Sequence, residues 1–349
     1  AQKEAEGTPY VIRFKMPLEG TTTIVDLIRG EVTFDNSILQ DLVLFKSDGY
    51  PTYHLANVVD DHFMEITHIM RANEWLASAP LHHQLYAAFG WQMPQIAHLP
   101  VLLNPNGKGK LSKRSAGFLE DGRQVLVLAK EFQDAGYLPQ AVVNFLTNIG
   151  WNFGDEREVF TAQEAIERFD ITRINPADSI YPIEKLDWLN GVYIRELEPD
   201  QLAELLREPL QKAGLTVDDA LLRKVAPLVQ PRIKTLNDVV AMAGFFFRDH
   251  FAPVPKDMLT IKNLDSAQTR ALLIAAHDAL AVLDDFSHSS QEAAMRAVAE
   301  AQGVKAKDLF SLLRSATTGQ MVYPPLFEST EVIGRRETLQ RLEQAAATL

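Results

Sequence analysis

The chain has 349 residues, enough for two or three domains that each bury a core. Its 46% hydrophobic and 23% charged content is ordinary for a globular protein, and no run reaches the 18 apolar residues of a membrane span. The absence of cysteine excludes disulfides and thiolate zinc sites and fits a reducing compartment such as the cytoplasm, while the net charge of −12 argues against a uniformly basic nucleic-acid surface.

In chain order, residues 9–45 read as short strands and turns, with apolar alternation broken by Pro17, Gly20 and Gly30. A strand is expected over 42–46, followed by a Ser47-Asp-Gly turn and a helix with Leu55, Val58, Val59 and Phe63 on one face. A buried strand is expected over 66–70. The next helix has Pro80 in its first turn and Gly90 as its stop. A third strand, 97–103, ends in the turn Asn104-Pro-Asn-Gly107, and strand, helix and strand in that order predict a parallel crossover. Beyond Lys130 the pattern is helical: 200–213, 266–283 and 290–302 are amphipathic, and nothing past Gly191 alternates like a strand.

Three groups of residues bear on chemistry. Lys108, Lys110, Lys113 and Arg114 stand on a loop beyond the carboxyl end of a parallel strand, where open α/β sheets bind ligands. There they could stabilise charge on a triphosphate, or form a solvated basic loop. No P-loop or G-x-G-x-x-G spacing accompanies them, which disfavours simple nucleotide hydrolases and dinucleotide enzymes. Tyr53 and Asn57 lie four apart on one helix face, and Arg71 could receive a carboxylate. Equally, Tyr53 could pack, Asn57 cap and Arg71 pair with Asp60 or Glu74. Asp60 and Asp61 point apart on the helix and suit structural roles. His54, His62, His68, His82, His83 and His98 lack metal-ligand spacing, so no metal centre is expected.

The run Ser47-Asp-Gly-Tyr-Pro-Thr-Tyr-His-Leu-Ala-Asn-Val-Val-Asp-Asp61 resembles bacterial glutamyl-tRNA synthetases. So do Ile66-Thr-His-Ile-Met-Arg-Ala-Asn-Glu-Trp-Leu76, His98-Leu-Pro-Val-Leu-Leu-Asn-Pro105 and Lys110-Leu-Ser-Lys-Arg114, in matching order. Gly136-Tyr-Leu-Pro, Glu184-Lys-Leu-Asp-Trp-Leu-Asn-Gly191, Pro231-Arg232 and Leu313-Arg314 extend the likeness over essentially the whole chain. The resemblance implies an α/β plus all-α class I enzyme, in which a partial Rossmann-type parallel sheet precedes helical stem-contact and anticodon-binding regions. Its segments would be 1–46, the remainder of an acceptor-stem insertion; 47–103, the second catalytic half; 104–190, signature loop and stem contact; and 191–251 and 252–349, two anticodon modules.

The implied reaction attaches L-glutamate to tRNA(Glu) through glutamyl-adenylate, using ATP with Mg2+ and no zinc. The resemblance assigns Lys113 to adenylate formation with Lys110 in support, and Tyr53, Asn57 and Arg71 to glutamate. Glu74, Trp75, Val101 and Leu102 would lie around ATP, with Val101 and Leu102 meeting adenine by backbone contacts, and Arg232 would read the anticodon. A monomeric, cytoplasmic full-length enzyme without a membrane partner is implied. The family's Pro-Ser-Pro-Thr-Gly-like strand end and His-Ile-Gly-His-like helix start do not occur in the sequence. The expectation is therefore a fragment that does not charge tRNA alone and whose strands lack sheet neighbours. A glutaminyl enzyme would end in β-barrels, and a tRNA-modifying paralogue would lack the anticodon region. A non-catalytic tRNA-binding module is the rival of a different class.

Overall fold

A computed structural model describes residues 6–112, 117–248, 250–262 and 264–349. The chain forms two compact units, residues 1–127 with 143–183 and residues 128–142 with 184–349.

The first unit is built on a four-stranded sheet. Strands β2 (Thr21–Asp26) and β3 (Gly30–Asp35) form an antiparallel hairpin. Strands β5 (His68–Ala72) and β6 (Gln95–Leu99) run parallel, and β6 also pairs with the end of β2, giving the order β3-β2-β6-β5. Alternation along β2 places Thr22, Ile24 and Asp26 inside and Val25, 67% exposed, outside. Helix α1 (Tyr53–Phe63) and helix α2 (Ala79–Phe89) form where expected; Val58 of α1 and Leu81 and Leu85 of α2 are buried, but Phe63, expected on the α1 apolar face, is 73% exposed. Pro80 lies in the first turn of α2, and Gly90, at φ 69°, closes it in the left-handed conformation that glycine adopts without strain. Val58, Leu81, Leu85 and Tyr86 from these helices share a core with Met16 and Leu44.

Three expectations are corrected. The strand expected over 42–46 is β4 (Val43–Phe45), and it pairs antiparallel with β1 (Ile12–Arg13) outside the parallel sheet. The strand expected over 97–103 is two strands: β6 ends at Leu99, and β7 (Leu102–Leu103) pairs with β8 (Ser179–Ile180) in a separate ribbon. Pro100 stands between them and has no N–H to continue a ladder. Finally, β6 does not lack neighbours, because the 21–35 hairpin and β5 flank it; the sheet edges are β5 and β3. Short helices α3 (Ala129–Asp134) and α5 (Ala162–Arg168) and the longer α4 (Pro139–Gly150) follow in the chain.

Among the described residues no strand follows β8, and the C-terminal part is helical as expected. Helices α6 (Ile183–Arg195), α7 (Pro199–Lys212), α8 (Asp219–Val229) and α9 (Asp238–Ala243) contribute to a core around Leu202, Leu206, Leu222, Val225 and Ile233. Helices α10 (Ser266–Ala281), α11 (His288–Ala301), α12 (Ala306–Thr318), α13 (Leu326–Ile333) and α14 (Arg335–Thr348) surround a second core, with Leu273, Met295, Leu309 and Leu342. Capping explains several starts: the Asp218, Asp265 and Ser287 side chains accept backbone N–H groups at the N-termini of α8, α10 and α11.

Gly136 joins α3 to α4 at φ 84°, and its carbonyl accepts the Leu236 N–H at 2.9 Å. A Cβ there would approach the backbone nitrogens of Asn237 and Leu236 to 2.8 and 3.0 Å. Gly136→Ala is expected to cost roughly 2–4 kcal/mol through left-handed strain plus this clash. Urea unfolding followed by hydrogen exchange in α6 measures it.

Candidate functional site

The first unit gathers a polar cluster around Arg71. In the parallel register of β5 and β6, Arg71 lies opposite His98. Its Nε donates to His98 Nε2 at 3.0 Å, and its Nη1 lies 3.1 Å from His82 Nδ1, on α2. His82 Nε2 lies 2.9 Å from His54 Nδ1, on α1. On the far side, His98 Nδ1 is 2.6 Å from Asp26 Oδ2, both side chains fully buried. Asp26 also accepts the backbone N–H groups of Ile28, Arg29 and His98. Arg29 Nε closes the group by donating to the His98 carbonyl at 3.2 Å.

Electrostatics follow from this packing. Burial pushes His82 down to about 3, helped by the positive charge of Arg71 and by the neighbouring His54 and His98, which would repel a second proton. Burial and Arg71 likewise lower His54. His98 is lowered by burial although Asp26 pulls the other way. Burial alone would raise Asp26, but hydrogen bonds from His98 and three backbone amides hold it below the ordinary carboxylate value. Asp61 is raised by burial and by Asp60, against the pull of Arg71, and Tyr86 is pushed up to about 12 by burial and Asp61.

Arg71 Nη2 is buried and has no hydrogen-bond partner, nor does Arg71 make an ion pair among the described residues. Glu74 pairs instead with Lys110, both carboxylate oxygens lying 2.8 Å from Nζ. Asn57 does not cap α1: it sits within the helix, and its buried Oδ1 also lacks a partner. Tyr53, 53% exposed at the start of α1, lies against Trp75 with ring centroids 5.2 Å apart.

The basic loop leaves β7 through a tight turn. Gly107 N donates to the Asn104 carbonyl, Asn104 Nδ2 to that of Lys108, and Leu111 N to that of Leu102. Asp178 Oδ1 accepts both Asn73 Nδ2 and Val101 N at 3.0 Å, and the Val101 carbonyl accepts Ser179 N at 3.2 Å. Lys113 and Arg114 lie outside the described residues. Pro100, Val101 and Leu102 also line an apolar cavity of about 510 Å³ walled by Val143, Leu146 and Trp151.

In the second unit Arg232, exposed after α8, has its guanidinium 5.4 Å from the Tyr323 ring centroid. Tyr323 is itself anchored by its hydroxyl, which donates to the Leu228 carbonyl at 2.9 Å.

Residues 1–188 match the family described as tRNA synthetases class I (E and Q), catalytic domain, and residues 201–346 match the anticodon binding domain. A glutamate–tRNA ligase of Roseiflexus sp. (strain RS-1) is 44% identical over 99% of this chain and 68% of its own length. The chain belongs to the glutamate–tRNA ligase family. The ligase of Chloroflexus aurantiacus is 42% identical over all of this chain and 69% of its own length. The crystal structure of the ligase from Elizabethkingia meningosepticum, solved in complex with its amino acid, matches with a TM-score of 0.87 at 33% identity, covering 100% of this chain and 70% of that one. The class I catalytic and helical anticodon-binding parts of the ligase fold are thus both present. No helix among the described residues is long and apolar enough to cross a membrane.

Two of the histidines disfavoured as metal ligands, His82 and His98, have another use here, as hydrogen-bond partners of Arg71. That use was missed in the sequence, as was Asp26. No group of three possible metal-binding side chains occurs among the described residues.

Proposed function

We propose that the chain serves ATP-dependent attachment of L-glutamate to glutamate tRNA through glutamyl-adenylate, with Arg71, Tyr53 and Asn57 receiving the amino acid. The observation that carries this reading is the half-buried Arg71 guanidinium, which among the described residues has no carboxylate partner and one unused nitrogen. Burial lowers its affinity for its proton, and only the Tyr53, Asp61 and Asp26 groups offset this from a distance. A substrate carboxylate would compensate the charge. The buried Asn57 Oδ1 supplies the complementary acceptor for an ammonium group. A donor and an acceptor of this kind suit an amino acid.

ATP, carrying Mg2+ as its substrate complex, would lie beyond β6 and β7. Lys113 is assigned to the charge that develops as pyrophosphate leaves, and Lys110 supports it by exchanging Glu74 for phosphate oxygens. Val101 would meet the nucleotide through its side chain, since its N–H and carbonyl hold Asp178 and Ser179. Leu102, Glu74 and Trp75 complete the surroundings. Calorimetric titration with L-glutamate tests the receptor: saturable binding lost on replacing Arg71 supports it, and binding indifferent to Arg71 overturns it.

Arg232 is assigned to an anticodon base, its guanidinium held beside Tyr323 as a stacking and hydrogen-bonding unit. Arg232→Gln is expected to weaken binding of glutamate tRNA by about 1–3 kcal/mol. Filter binding against an anticodon-substituted tRNA checks it, because the loss should shrink when the base is changed.

A further inference from the structure

We propose that His82 and His98 are positioning residues for Arg71, each offering it an imidazole nitrogen as acceptor, and that Asp26 sets the His98 ring for that task. The role rests on the reading of Arg71 as the glutamate receptor.

Arginine has donors only, so the ring nitrogens it meets must carry lone pairs. His98 accepts at Nε2 and therefore holds its proton on Nδ1, where Asp26 receives it at 2.6 Å. His82 accepts at Nδ1, so its proton sits on Nε2 and is donated to His54 Nδ1 at 2.9 Å. Every hydrogen bond from Asp26 to His54 then has one donor and one acceptor. An imidazolium at either position would turn a second donor, and a second positive charge, toward the guanidinium. Neutral rings are thus required by geometry, and burial of both rings favours the same state.

The charged and titratable groups around the cluster agree with this. His82 faces Arg71, His54 and His98; His98 faces Arg71, Asp26 and Arg29; Arg71 feels Tyr53, Asp61 and Asp26. Two bonds from different elements, β6 and α2, fix the guanidinium plane and leave Nη2 as the donor without a protein partner. Rings rather than carboxylates suit this purpose. A carboxylate would neutralise Arg71 and compete with the ligand, whereas a neutral nitrogen orients it and leaves the charge unspent.

The test uses the full chain with ¹⁵N-labelled histidine rings, observed near neutral pH without ligand. The expected spectrum shows the proton on Nδ1 of His98 and on Nε2 of His82, neither ring charged, with tautomers mixing in Arg71→Met. An imidazolium at either position, or the reverse tautomers, overturns the proposal. Glutamate titration adds a second readout. His82→Leu should weaken binding about tenfold or more, while His82→Asn, whose Oδ1 can replace Nδ1 as acceptor, should stay within about threefold of the unmodified chain. Rescue by asparagine separates orientation from mere filling of space, and the asparagine variant remains informative if the leucine variant fails to fold. If His82→Leu binds normally while Arg71→Lys does not, the positioning role fails and the receptor reading stands. Normal binding by Arg71→Lys overturns the receptor reading and, with it, the role that depends on it.

Discussion

Replacing Arg71 by lysine should weaken glutamate binding by at least about a hundredfold, near 3 kcal/mol. Arginine offers a planar set of donors, and the structure uses two of them separately, Nε for His98 and Nη1 for His82, leaving Nη2 for the carboxylate of the proposed ligand. A lysine ammonium retains the charge but presents its donors from one atom, which cannot span two imidazoles and a carboxylate in one plane. The loss should therefore exceed the modest change expected from a charge-conserving substitution. Calorimetry on the lysine variant gives the number, with circular dichroism to confirm the fold. An affinity near that of the unmodified chain would remove Arg71 from the site.

Acid should destabilise the first unit well above the pH at which its carboxylates protonate. His82 is 1% exposed and titrates at about 3 instead of 6.5. The unfolded chain therefore takes up the proton first, and stability falls as pH drops below 6.5 toward the folded value. At 1.36 kcal/mol per pH unit, His82 alone removes about 2 kcal/mol by roughly pH 5 and some 4–5 kcal/mol by pH 3. His54 and His98 are shifted the same way and deepen the fall. Asp26 acts in a separate window: its lowered value contributes stability above 3.8 that is lost as pH falls through the folded value below it. Hydrogen exchange in α2 across this range reports the effect locally. In His82→Asn the slope between about pH 6.5 and 5 should shrink by about one imidazole's share. A stability independent of pH over that interval would show that the rings are not held neutral by the fold.

Much of this architecture could be read from the residues, and the parts that could not share a physical cause. Helix α2 was legible because Pro80 and Gly90 mark a helix start and stop locally. Helix α1 was legible from its apolar spacing. By contrast, 97–103 read as one strand because its residues are nearly all apolar, and the one local signal against it, Pro100, was overlooked. Strand pairing was less accessible still. Val43–Phe45 looks like a sheet strand by composition, and only tertiary contact sends it to Ile12–Arg13. At the proposed site, Tyr53, Asn57 and Arg71 were named through family likeness, whereas their surroundings were not. Arg71 and His98 are 27 positions apart and Asp26 and His98 are 72, joined only by strand register and packing. A histidine read alone suggests a ligand or a base. Placed beside an arginine that already needs acceptors, it is a fixed lone pair.

The break at Pro100 places two duties on one short stretch. His98 holds Arg71, and three and four residues later Val101 and Leu102 stand where the nucleotide is assigned; extended chain covers that interval in roughly 10–14 Å. A ligand that displaces Val101 pulls on the same backbone that carries the His98 ring. If glutamate and nucleotide bind at these proposed places, the two events are linked, and linkage is symmetrical: whatever factor nucleotide imposes on the affinity for amino acid, amino acid returns to nucleotide.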